Sequence, residues 1–262
     1  MSAPLRLQVN LANPGQFLAC CGLLDMASRI DPQALGWFED GAFLLQMEHA
    51  ETLLHLRDCP IEPLELIALE TEGNEGEDGT SEEKEDKSAP VRLGGPFDYR
   101  LDWWTEPAMT RAGFKTWSGG QTVLGFLGGM REQFPTELNG DWLTQTKVLK
   151  KPKPFYLDSR LSRMTALDMG FSTEKFETAF SPVVELLAFI GLQRFRPRCV
   201  SDRECYAYSA WEDPLPVQIA AAVAAGLLPT LSFRSFTFPL VIRTGGKYKA
   251  LGTAIPERTS HV

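Results

Sequence analysis

Adjacent thiols are the first reactive grouping in the chain. Cys20 and Cys21 lie in "NPGQFLACCGLLDMASR", and the 262 residues hold five cysteines in all. Such a pair could be reactive in its own right, supply part of a metal site or provide a nucleophile. A metal site would want a second ligand pair at suitable spacing. Cys59 stands alone, and Cys199 and Cys205 are too far apart for C-x-x-C. A nucleophile would want a histidine or basic partner, and the three histidines are His49, His55 and His261. Helical spacing gives the simpler reading. Asn13 suits an N-cap and Pro14 the first helical position. Phe17, Cys20, Cys21 and Leu24 then fall at i, i+3, i+4 and i+7, one buried face where free cysteine behaves as a small hydrophobe. No metal or cofactor is expected.

Catalytic signatures are missing as well: there is no G-x-G-x-x-G, Walker sequence, G-x-S-x-G or H-E-x-x-H. "SGGQTVLGFLGG" runs into a helix whose free N–H groups could hold a phosphate, but it lacks the Lys-Ser/Thr of a nucleotide loop. The basic features say more. Residues 147–163, "KVLKKPKPFYLDSRLSR", hold six basic residues and one acid, with Phe155 and Tyr156 interleaved. Pro152 and Pro154 keep the segment extended, so it suits a phosphate backbone, with rings to stack on bases. In "LQRFRPR", Arg194, Arg196 and Arg198 alternate just after a helix, which places three guanidiniums on one side of an extended segment. Contacts to acids of the N-terminal part are the alternative for them. The candidate nucleic-acid contacts are therefore Lys115, Lys147, Lys150, Lys151, Lys153, Arg160, Arg163, Arg194, Arg196 and Arg198. A different class of function, a small-molecule enzyme, would use Lys115 or Asp168 in a pocket lined by Trp103, Trp104 and Trp117.

The elements that must position these groups follow from periodicity. "LRLQVNL" alternates like a strand, and "GWFEDGAFLLQM" reads as a hairpin turning at Glu39, Asp40 and Gly41. "PLELIALE" alternates again, followed later by "YRLDWW" and a helix near residues 121–134. A helix opens at Ser181 and Pro182 with Glu185 near its first turn, where a carboxylate suits the dipole. The strand "ECYAYSAW", an Ala-rich helix and the strands "LSFRSFTFPLVI" and "KYKAL" complete the chain. Without a regular βαβ rhythm, the fold class is α+β, a mainly antiparallel sheet with packed helices.

Charge is uneven along this framework. Residues 1–69 hold 3 basic and 9 acidic side chains, residues 70–90 hold 2 and 9, and residues 91–262 hold 21 and 16. The net charge of -8 thus conceals a basic C-terminal part. "ETEGNEGEDGTSEEKEDKSAP", residues 70–90, has no large apolar residue, so it is expected to be a disordered acidic loop. It separates an N-terminal α/β part, 1–69, from an α+β part, 91–262, the two expected to be continuous as one domain. No apolar run approaches the ~20 residues of a membrane span. The N-terminus lacks signal-peptide features, and scattered cysteines fit a reducing cytoplasm.

Several phrases together carry a resemblance. "NPGQFLACCGLLDMA", "LDWW" with "KTWSGGQ", "PFYLDSRLSRMTALDMGFS", "PVVELLAFIGLQRFRP" and "YSAW" with "LPVQIAAAVAAGLLP" resemble a CRISPR-associated family. It is the large-subunit-like protein of type I-U (now I-G) Cascade systems, Dpsyc group. The matches run from about residue 5 to residue 256 and skip the acidic segment. The resemblance implies a non-enzymatic subunit of an RNA-guided surveillance complex. It would sit beside the Cascade backbone and crRNA-handle-binding subunits and their crRNA. There it would help recognise the protospacer-adjacent motif in target double-stranded DNA and prepare that DNA for a separate Cas helicase-nuclease. Large subunits of better-known type I complexes are longer and end in a helical bundle that guides the displaced strand. Here one Ala-rich helix followed by strands is too little for such a bundle, so strand guiding is expected to fall to another subunit or an additional small one.

Overall fold

A computed structural model describes residues 3–65, 89–117, 121–138, 140–161, 179–201, 204–242 and 249–257. Helix α1, Pro14–Ile30, starts as its sequence dictates: the Asn13 side chain accepts from the Gly15 and Gln16 amides, with Pro14 behind it. Its burial exceeds one face. Every residue from Pro14 to Ala27 is buried, so the helix is enclosed on all sides. Cys20 and Cys21 are free thiols inside it. Burial pushes both thiols well up, which keeps them protonated and inert.

Among the described residues the strands form three antiparallel sheets. Strands β1 (Leu5–Gln8), β2 (Leu35–Glu39) and β3 (Ala42–Gln46) form the first, in order β1-β3-β2. The β2–β3 hairpin turns on Asp40 and Gly41, both at positive φ, as that dipeptide favours. Strands β4 (Ile61–Pro63), β5 (Val91–Leu93) and β6 (Tyr99–Leu101) make the second sheet. The third runs β10-β9-β8-β7 from β7 (Arg198–Ser201), β8 (Cys205–Ala210), β9 (Arg234–Ile242) and β10 (Lys249–Leu251), with β11 (Ile255–Pro256) also on β9. β4 reaches only the first residue of the expected strand "PLELIALE", and residues beyond 65 lie outside the described ones, as does nearly all of the acidic segment.

Among the described residues the other α-helices are α2 (Pro107–Ala112), α3 (Val123–Arg131), α4 (Pro182–Gly191) and α5 (Val217–Ala224). The architecture is α+β. Helix α4 is capped by Ser181 Oγ on the Val184 amide and is buried at all ten residues. It crosses α1 at two glycines. A methyl group on Gly22 would collide with the Leu187 carbonyl, and one on Gly191 with the Leu18 carbonyl. Only bare Cα atoms let the backbones approach so closely. Side chains from both sides of the acidic segment share one hydrophobic core. Phe17 illustrates this, stacked 4.2 Å from Tyr208 and 5.6 Å from Phe38. Among the described residues no helix is long and apolar enough to cross a membrane.

Candidate nucleic-acid interface

The lysine-rich segment is exposed at its charges and anchored by its backbone. Lys147 exchanges both main-chain hydrogen bonds with Phe180, at 2.8 and 3.1 Å, and its Nζ donates to Gln133 Oε1. Pro152 then packs onto α3 over Gly129, where an added methyl would strike its ring. The Lys153 carbonyl accepts from Gln121 Nε2 at 3.1 Å. These contacts leave the Lys150, Lys151 and Lys153 side chains exposed. Between the segment and the first turn of α3 lies an open cavity of about 520 Å³, lined by Gln121, Thr122, Gly125, Lys151 and Lys153 among others. Thr122 Oγ1 caps the Gly125 amide at 3.0 Å. The structure thus joins two features that the sequence shows about thirty residues apart: the glycine-rich helix start and the lysine run. A helix start adds positive potential to that of two ammonium groups.

The aromatic half of the expectation is not met. Phe155 is buried, stacked between Trp117 at 4.1 Å and Phe126 at 3.7 Å, and Tyr156 is half-buried. The apolar core is the stronger sink for these rings, so Phe155 has no face for a base. What the segment offers is charge.

Past Phe155 the chain is clamped by two buried carboxylates. Glu185 Oε2 accepts from the Phe155 amide at 2.8 Å, and Oε1 from the Asp158 amide at 2.7 Å. Burial pushes the Glu185 carboxyl up to about 8, against the lowering effect of these amides. Its position in the first turn of α4 was legible, but not its partners. Asp158, also buried, takes the Asn13 side chain at 2.8 Å and the Ser181 amide at 3.1 Å. It therefore lies at the starts of both α1 and α4, where a negative charge is favoured. Gly15 completes the crossing, since a methyl there would collide with the Leu157 carbonyl.

Internal carboxylates engage several predicted contacts. Arg160 forks onto Asp158 at 2.6 to 2.9 Å and donates to the Leu143 and Thr144 carbonyls. Arg194 binds Asp25 through Nε at 2.9 Å, and Arg196 makes a two-point pair with Glu106. The three alternating arginines therefore do not present a shared face. Arg194 meets an acid of the N-terminal part, and only Arg198, on the edge strand β7, is exposed. Lys115 is half-buried, its Nζ 5.8 Å from the Trp117 ring, and burial lowers its pKa. Arg163 and Asp168 lie outside the described residues.

Trp103, Trp104 and Trp117 are core rather than pocket walls. They are buried, with Trp103 5.9 and 5.8 Å from the other two and 5.3 Å from Phe189. Among the described residues no group of three or more His, Cys, Asp or Glu could hold a metal ion. Comparison with known proteins adds nothing further. No protein-family model, characterised protein or solved structure matches the chain.

Sequence reasoning missed a second cluster, around Asp25. This carboxylate is fully buried and accepts from the Tyr99 hydroxyl and Arg194, with Arg29 Nε 3.9 Å away. Burial and the Asp25 charge raise the Tyr99 pKa, so the phenol stays protonated and donates. One signal was available: Arg100 and Asp102 alternate in "YRLD", the spacing of neighbours on one strand face.

Proposed function

We propose that the chain is a non-catalytic, nucleic-acid-binding subunit of a type I-G (I-U) CRISPR Cascade complex. One observation carries the nucleic-acid part. Lys150, Lys151 and Lys153 stand exposed on a proline-stiffened arm, two of them lining an open cavity at a helix start. Pre-anchored cations bind phosphates without the ordering cost of a flexible tail. With Phe155 in the core, the arm itself binds backbone phosphate, independently of base identity.

The sequence resemblance supplies the assembly. In it the subunit works in the cytoplasm beside the Cascade backbone, the crRNA-handle-binding subunits and crRNA. It helps recognise the protospacer-adjacent motif and hold target double-stranded DNA for the helicase-nuclease. Guide pairing reads the sequence, and protein reads a short duplex motif and backbone shape. The test is co-purification with the products of neighbouring genes, followed by sequencing of bound RNA. Recovery of Cas subunits with one class of repeat-derived RNA supports the reading, and purification alone without RNA refutes it.

A further inference from the structure

Arg29 near the end of α1, Arg100 on β6 and Arg194 after α4 line one open cavity of about 400 Å³. Each arginine is held from one side. Arg100 and Arg194 bond Asp102 and Asp25 through Nε, at 2.7 and 2.9 Å. Arg29 lies across the Tyr99 ring, 4.0 Å from its centroid. Among the described residues, no terminal guanidinium nitrogen of these three has a hydrogen-bond partner.

The anchors are themselves fixed. Asp25 is fully buried and also takes the Tyr99 hydroxyl. Asp102 is held on its other oxygen by Gln193 Nε2 at 2.8 Å, while Gln193 Oε1 accepts the Asp102 and Trp103 amides. Every polar atom of Gln193 except one amide hydrogen is therefore spent on orientation. This is a rigid scaffold under three guanidinium forks, the arrangement that suits a tetrahedral oxyanion.

The rest of the lining narrows the ligand. Among the described residues the cavity is lined by no aliphatic side chain, so it offers little to an acyl chain. It does present Asp98, a well-exposed carboxylate bonded to Arg92 on one oxygen. A carboxylate at the rim accepts hydroxyl groups, as acidic residues accept a ribose. Together Arg29, Arg92, Arg100 and Arg194 exceed Asp25, Asp98 and Asp102 by one charge. We infer that this cavity binds the phosphate of a nucleotide through Arg29, Arg100 and Arg194, with Asp98 receiving a sugar hydroxyl. The site is separate from the lysine arm and does not rest on it.

Calorimetric titration of the full chain tests this with adenosine 5′-monophosphate, adenosine and inorganic phosphate as probes. The monophosphate should bind more tightly than either fragment. Arg100→Gln should weaken it by about tenfold, the loss of one charge-assisted contact. Arg100 is more than half exposed, so this variant should melt with the wild type. Asp98→Asn should weaken the monophosphate but leave inorganic phosphate unchanged. Alanine at Lys147, Lys150, Lys151 and Lys153 together should leave monophosphate affinity intact, which separates this site from the arm. Short RNAs with and without a 5′-phosphate identify the source. Preference for the phosphorylated RNA, lost in Arg100→Gln, assigns a strand end; binding of the mononucleotide alone assigns a free nucleotide. Either supports the site. Equal binding of adenosine and its monophosphate, or undiminished binding by Arg100→Gln, would overturn it.

Discussion

Removing the three exposed lysines of the arm should change the salt dependence of DNA binding by a calculable amount. The perturbation is alanine at Lys150, Lys151 and Lys153 together. Contacts that hold the arm include the Lys147 backbone, the Pro152 ring and the Lys153 carbonyl, none of which truncation removes. Melting temperature should therefore hold. Each phosphate neutralised on B-DNA contributes about 0.9 to the slope of log K against log salt. Three lost contacts make the slope shallower by about 2.7. Between about 50 and about 200 mM salt, the wild type should then lose about 40-fold more affinity than the variant. Fluorescence anisotropy of the assembled complex on a labelled target duplex reads this directly. Parallel salt plots would refute the assignment. A lower affinity with an unchanged slope would refute it too, because the loss would then come from something other than phosphate.

Other perturbations test the frame beneath the arm. Gly22→Ala drives a methyl into the Leu187 carbonyl and should cost about 1–3 kcal/mol as overpacking, several degrees in thermal melts. Gly128→Ala in α3, whose methyl meets nothing within 4 Å, should be neutral or slightly stabilising. Deleting residues 72–87 should leave the melting temperature unchanged, because β4 and β5 already pair and the Leu64 amide bonds the Pro90 carbonyl at 2.8 Å. Glu185, raised to about 8 from an ordinary 4.5, keeps a proton that the unfolded chain releases. Its stabilisation is complete below about pH 4.5 and is lost as pH rises through about 8. Melting temperature should fall across that window. Glu185→Gln should flatten the dependence while lowering stability at every pH, since one oxygen cannot serve both the Phe155 and Asp158 amides.

What the sequence made legible was local. Asn13 and Ser181 as caps, and the Asp40–Gly41 turn, depend on residues within four positions of one another, and the structure has all three. Burial of Cys20 and Cys21 was legible for the same reason, although their helix is enclosed on every side rather than one. Periodicity reports which residues share a face. It does not report what covers the other faces. The charged residues were hard to read because their partners are remote. Arg194 finds Asp25 across 169 positions, and Arg196 finds Glu106 across 90. Nothing in "LQRFRPR" distinguishes an arginine waiting for phosphate from one already neutralised. Phe155 was misread likewise, because its stacking partners come from two other segments.

Those remote pairings change what the charge count means. The basic C-terminal part has cations in excess, but Arg194 gives its Nε to Asp25, and Arg160 and Arg196 are spent on internal carboxylates. Their work is structural. Arg160 and Asp158 tie the far end of the lysine arm to the starts of α1 and α4, while Glu185 grips the amides between. The arm is thus fixed at both ends, by Lys147 on Phe180 and by Asp158 on two buried helices. Between these anchors its lysines project into solvent. A segment with more exposed charge and no anchors would bind phosphate only after losing conformational freedom. Here internal ion pairs reduce the number of available cations and, in doing so, fix the geometry of those that remain.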